Sequence, residues 1–233
     1  NMALSTKDLQ GSASVKKTIA PENHTLKINS VTLETFRFIE NAYHLMLHLE
    51  TEPIDGFEGF LVDPENPEKG YYKGQVGKVK ANRYAYADGE TKSGIKVERD
   101  RSILMFLKTL CKALDTASDS ELFTKWFSAQ DGEHETIEEF VTAFDTEIKK
   151  HNTYLDFCVA GKEYENKNGY INYDMFLART SRGNYAFGEK GSKKVISYDE
   201  KHHLIKLPVK DVESFGDEDI SIPSNTSNDF SLD

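Results

Sequence analysis

Residues 154–177 read YLDFCVAGKEYENKNGYINYDMFL, and this stretch decides the fold. Tyr154 to Ala160 and Tyr170 to Leu177 are short apolar and aromatic runs, and the polar segment from Gly161 to Gly169 lies between them. That pattern predicts two strands joined as a hairpin. Immediately upstream the period changes. Ile103, Leu104, Phe106, Leu107, Leu110, Cys111 and Leu114 recur at helical spacing, and so do Ile137, Phe140, Val141, Phe144 and Ile148. Ser118 with Glu121 and Thr136 with Glu139 have the spacing of capping boxes. The first would open a short helix carrying Leu122, Phe123, Trp126 and Phe127. This apolar material reads as core, with Cys111 a packed thiol rather than a nucleophile.

Before the helices the chain returns to strands. In Ala42 to Glu50 the residues Tyr43, Leu45, Leu47 and Leu49 share one face at period two. A turn at Pro53 to Gly56 leads to Phe57–Val62, a second strand of a hairpin, and prolines mark Asp63 to Gly70 as loop. Tyr71 to Ala87 reads as a long third strand curved by its glycines, and Thr25 to Phe38 alternates enough to add one more. Three strands, a helical segment and two strands is the order of an OB-fold, a five-stranded Greek-key barrel, with its connector helix enlarged. A generic α+β domain with segregated strands and helices shares the order. The fold class is α+β, with a barrel domain over residues 24–210 and a helical insertion over 100–150.

The ends differ from this body. Residues 1–23 mix Ser, Gly and Lys without period and read as a flexible arm, in which Lys7, Lys16 and Lys17 could reach phosphate. Residues 211–233, DVESFGDEDISIPSNTSNDFSLD, hold seven acids and no base, so of the formal charge of −10 only −3 belongs to the rest of the chain. So few aliphatic side chains cannot offset ordering entropy, and a disordered tail is expected. Across all 233 residues, 38% are hydrophobic and 29% charged, and no apolar run is long enough to span a bilayer. The N-terminus shows no signal-peptide core. Two cysteines, Cys111 and Cys158, make neither a disulfide framework nor a cysteine-rich zinc site. A cytoplasmic protein is the expectation.

Catalytic patterns are few. The chain has no phosphate-binding glycine loop, dinucleotide fingerprint, His-Glu-x-x-His or Gly-x-Ser-x-Gly element. The seven histidines include the adjacent pair His202-His203 and His44 with His48, which share the strand face opposite the apolar one and read as surface residues. Asp63, Asp88, Glu98, Asp100 and Asp174 fall near expected strand ends, where a metal-dependent nuclease keeps carboxylates, but no spacing selects a pair. No catalytic residue, metal site or cofactor is assigned. The expected strands do interleave aromatic with basic residues. One set is Tyr71, Tyr72, Lys73, Lys78, Lys80, Arg83, Tyr84 and Tyr86; a second is Lys162, Tyr164, Lys167, Tyr170 and Tyr173, followed by Arg179, Arg182, Tyr185 and Phe187. Single-stranded nucleic acid is held by this combination, because every base offers a face to stack on and every phosphate needs a cation. Strand tyrosines that merely suit a half-buried pleated surface would leave the same composition. On the strand reading, Tyr84, Tyr86, Lys78 and Lys80 share one face.

The strand order, the basic-aromatic strands and an acidic tail closing on Asn228-Asp229-Phe230-Ser231-Leu232-Asp233 resemble the single-stranded DNA-binding proteins of bacteriophages and bacteria. The length and helical insertion are nearer the phage proteins, while the ending departs from the bacterial Pro-Phe. The resemblance implies a non-enzymatic protein that coats single-stranded DNA in replication or recombination, in the host cytoplasm if phage-encoded. It also implies that Asp229, Phe230, Leu232 and Asp233 recruit replication proteins, and it leaves a homodimer open. A virion or host-interaction protein built on a barrel and helices would carry the same folding pattern, as would a metal-dependent nuclease with carboxylates converging in one cleft.

Overall fold

The chain closes five strands into a barrel, seen in a computed structural model that describes residues 19–52, 76–91, 93–180 and 183–208. β1 (Asn23–Thr35), β2 (Tyr43–Thr51) and β3 (Val76–Lys80) come first. A small hairpin of β4 (Gly89–Glu90) and β5 (Lys96–Val97) precedes the helices α1 (Arg99–Ser118), α2 (Leu122–Ala129) and α3 (Ile137–Ile148). β6 (Tyr154–Glu165) and β7 (Ile171–Leu177) complete the barrel, and β8 (Phe187–Gly188), α4 (Glu200–His203) and β9 (Leu204–Ile205) follow it. Hydrogen bonding runs β1-β2-β3-β7-β6 and returns from β6 to β1. Within this ring every pairing is antiparallel except β3 with β7, which meet in parallel at Lys80 and Phe176. A closed barrel with helices between its third and fourth strands is OB-like.

Closure depends on β1. Its first residues pair with β6 from Asn23 opposite Cys158 to Lys27 opposite Tyr154, and its later ones with β2 out to Thr35 opposite Tyr43. A register shift between Ile28 and Ser30 bends the strand. The amide of Val31 and the hydroxyl of Ser30 there both donate to Asp145 Oδ1 of α3, at 2.8 and 2.6 Å. Burial opposes ionisation of that carboxyl, yet the bonds from Lys149, Ser30 and Val31 hold it below the ordinary carboxylate range. Inside the barrel Leu26, Leu45, Leu47, Val79, Leu155 and Phe157 have no solvent exposure, and they form one core with Ile103, Leu107, Leu110 and Phe144 of the helices.

Several sequence expectations change. The segment read as an additional strand is the barrel's first, the Ala42–Glu50 run its second, and β3 occupies only Val76–Lys80 of the long strand expected over Tyr71 to Ala87. The turn at 53–56 and the strand at 57–62 lie outside the described residues. The end of the N-terminal arm belongs to the barrel: Ile19 is buried, its amide donates to the Val76 carbonyl at 3.3 Å, and Asn23 opens β1. Ile19 and Pro21 explain two strand glycines. A Cβ on Gly77 would stand 3.2 Å from Ile19 Cβ, and one on Gly161 only 2.5 Å from Pro21 Cγ. Gly161 therefore marks a close approach inside β6 rather than the start of a turn; the turn is Asn166 to Gly169, whose Asn166 Oδ1 accepts from the amides of Asn168 and Tyr170. Thr136 does cap α3, accepting from the Glu139 amide. Ser118 does not cap α2, because its hydroxyl donates back to the Leu114 carbonyl at 2.7 Å. Asp115 does so instead, its two carboxylate oxygens each accepting at 2.8 Å, from the amides of Phe123 and Thr124.

Candidate nucleic-acid interface

Where β3 and β7 end, four segments enclose a groove of about 820 Å³. Residues 81–86 form one wall, the middle of α1 the second, residues 178–187 the third, and α4 the rim. Its floor is the outer side of the barrel, where Ala160 and Phe176 pack in a small cluster with Cys158 and Ala178. The chain leaves β3 in a bend at Ala81–Tyr84, which throws Arg83 and Tyr84 over this floor. The Arg83 guanidinium lies 5.3 Å from the Tyr84 ring centroid and 5.9 Å from that of Phe176. Tyr84 is 67% exposed and Tyr185, also lining the groove, 43%. Arg179 lines it too and is exposed.

Among the described residues, the groove is lined by bases and no acids, and neither Arg83 nor Arg179 enters an ion pair. His202 and His203 stand on its rim. Asp199, the cap of α4, accepts from Lys201 and bonds the His202 ring, while its own amide donates to His203 Nδ1 at 2.9 Å. That bond places the proton of the neutral His203 ring on Nε2. Burial lowers the His203 pKa. A concave, acid-free, partly aromatic surface with two unpaired guanidinium groups can hold a phosphate backbone and stack bases.

Of the residues expected to form one binding face, the structure gathers Arg83, Tyr84, Tyr86, Arg179, Tyr185 and Phe187 around the groove, Tyr86 and Phe187 at its core side. Lys78 and Lys80 lie on the outer barrel face but are committed to Glu34 at 3.2 Å and to Asp174 at 2.7 Å. Tyr86 is not on their face. It packs against the main core, its backbone exchanges hydrogen bonds of 2.9 and 2.7 Å with Tyr43, and burial pushes its phenol pKa up. Strand alternation does not carry past Lys80, because the bend at Ala81–Tyr84 interrupts the strand. Lys162, Tyr164, Lys167, Tyr170 and Tyr173 sit on the β6–β7 hairpin and do not line the groove. Tyr71, Tyr72, Lys73, Arg182, Asp229, Phe230, Leu232 and Asp233 lie outside the described residues.

Sequence reasoning missed Met105, Phe106 and Thr109 of α1 and the role of His202 and His203. The adjacent histidines were a signal, but nothing local placed them beside Arg83. The carboxylates considered for a nuclease are each engaged elsewhere: Asp88, Glu98 and Asp100 lie around Arg99, where Asp88 accepts from its amide, Asp100 pairs with its side chain and Glu98 pairs with Lys96, while Asp174 pairs with Lys80; Asp63 lies outside the described residues. Among the described residues no group of three His, Cys, Asp or Glu side chains is placed to hold a metal ion, and no helix is long and apolar enough to cross a membrane. Comparison of the chain with protein-family models, with curated proteins and with solved structures finds no match.

Proposed function

We propose that the protein binds single-stranded DNA without sequence preference, through the groove between the barrel and α1. The observation that carries this reading is the groove's chemistry: Tyr84 and Tyr185 are exposed and, among the described residues, Arg83 and Arg179 have no ion-pair partner and no carboxylate lines the groove. Phosphates engage the guanidinium groups and bases lie against the tyrosines and Phe176, contacts that read no sequence. The role is coating of single strands in replication or recombination, with the acidic residues 211–233 recruiting partner proteins.

A fluorescence-anisotropy titration with labelled single-stranded and duplex oligonucleotides at two salt concentrations tests it. Tighter binding to the single strand, weakening as salt rises, is expected; equal binding to both forms, or none at low salt, overturns it. One feature favours the protein-interaction alternative. In the β1–β2 loop Phe38 is 81% exposed with Ile39 beside it, an apolar tip suited to a protein surface. On that reading oligonucleotides would not bind, and Phe38→Ser would abolish capture of the partner.

A further inference from the structure

The groove does not end at α1. Met105, 61% exposed, lines it on one side and on the other lines a second concavity of about 550 Å³, between α1 and the α2–α3 connection. Arg101, Met105, Lys108 and Lys112 are spaced four, three and four residues apart, so at 100° per residue they fall on one narrow stripe of the helix. All four are exposed. Among the described residues none of the three cations has an ion-pair partner, unlike Lys78, Lys80, Lys125, Lys149 and Lys150. Among the described residues, a basic stripe without ion-pair partners thus adjoins a groove that no carboxylate lines. Met105 of the stripe, with Phe106 and Thr109 beside it, forms the groove's α1 wall.

We infer that α1 extends the binding path, so that a single strand leaving the groove crosses Met105 and runs along Arg101, Lys108 and Lys112. This rests on the single-strand reading above. At 1.5 Å per residue the stripe is about 16 Å long, room for about three phosphates, one per cation. Met105 offers a polarizable, adaptable surface for a base at the crossing. Asp131 and Glu135 stand on the far wall of the second concavity, where they repel phosphate and confine the strand to the α1 side. Asp100, at the start of α1 beside Arg101, is paired with Arg99. The helical insertion thereby does more than cap the barrel: it lengthens the site beyond the nucleotides that the groove holds.

The test compares the full chain with a triple variant, Arg101→Gln, Lys108→Gln and Lys112→Gln, whose side chains are exposed and whose helix propensity is kept. A groove variant, Arg83→Gln with Arg179→Gln, serves as reference. Each is titrated with thymidine oligomers of about five and about twenty nucleotides over a salt series, and a thermal melt checks that the fold is intact. For the long oligomer the triple variant should lose about 2 from the slope of log affinity against log salt, at about 0.7 per phosphate, and bind at least about tenfold more weakly at low salt. Short-oligomer binding should be unchanged in it and lost in the groove variant. If the triple variant keeps the wild-type slope with the long oligomer, the α1 path is wrong while the groove reading stands. If the wild type binds neither oligomer, the single-strand reading itself fails and the α1 path with it.

Discussion

Lys80 on β3 and Asp174 on β7 form a 2.7 Å ion pair beside the parallel meeting point of the two strands. The pair ties together the two strands that meet in parallel within the barrel, and it occupies the lysine that strand parity would assign to phosphate. Because the Asp174 side chain is 45% exposed, solvent screens the pair. Lys80→Gln should therefore cost less than about 1 kcal/mol of stability in denaturant unfolding and leave single-strand affinity and its salt slope unchanged. A reduced slope would place phosphate on the outer barrel face instead of in the groove.

Tyr84 and Tyr86, two residues apart, both line the groove, but Tyr84 is exposed and Tyr86 packs on the core. Tyr84→Ala removes a stacking surface and should weaken single-strand binding by about 1–3 kcal/mol with the melting temperature nearly unchanged. Tyr86→Ala removes a ring that packs on the core from the groove's inner wall and should destabilise the fold by about 3 kcal/mol, with loss of stability as its main effect. Measuring both quantities on both variants decides the assignment, and a Tyr84→Ala protein with wild-type affinity would count against the groove.

Asp115 links α1 to α2 through bonds to Phe123 and Thr124. Burial pushes its carboxyl pKa up, but these bonds, with Ser120, bring it below the ordinary value. The folded state thus binds a proton less readily than the unfolded chain, so the stabilisation is present above the unfolded carboxylate pKa of about 4 and disappears as pH falls through the folded value. Asp115→Ala should cost about 1–2 kcal/mol at neutral pH, in the range of a lost helix cap. Its stability should also fall less steeply than the wild type's below about pH 4, measured by urea unfolding across pH.

These cases show what local pattern carried and what it did not. Alternation at Leu45, Leu47 and Leu49 and the Thr136–Glu139 spacing are local signals, and both appear in the fold as expected. The strand order, with helices between the third and fourth strands, was legible enough to suggest the barrel. Alternation continues without a break through Lys78, Lys80, Asn82, Tyr84 and Tyr86, so the bend that separates Tyr84 from Tyr86 leaves no local trace. Ser118 has a cap's spacing, yet a carboxylate three residues earlier reaches the amides first. The groove draws on residues near 83, 105, 179 and 203, brought together only by closure of the barrel and the return of the chain across β6.

Gly161 is held to its identity by Pro21. A methyl group at 161 would meet the Pro21 ring at 2.5 Å, and a proline ring cannot rotate away. Gly161→Ala should lose about 1–3 kcal/mol by overpacking. In a Pro21→Ala background the clash atom is gone, so the cost of Gly161→Ala should be smaller there. A double-mutant cycle measures the coupling, and additive effects would mean that the 19–22 segment does not pack on β6.

His203 makes the groove sensitive to pH. The groups around it are Asp199, Glu200, His202 and Lys201 on or next to α4, the Tyr198 ring at 5.7 Å, Lys206 following β9, and Arg83 and Arg179 across the groove. Its pKa is lowered by burial first, with His202 adding to the effect against Asp199, so the free protein holds it neutral at pH 7. Protonation is disfavoured in the folded state, and stability falls as pH drops through the unfolded histidine value of about 6.5. A bound phosphate reverses the sign by favouring the imidazolium, so binding takes up a proton and affinity rises as pH falls from about 7.5 to 5.5. One unit of pKa increase on binding would give about tenfold. His203→Gln should flatten that profile while retaining most of the affinity at pH 7.5. The same rise in the variant would assign the proton to another group and remove His203 from the site.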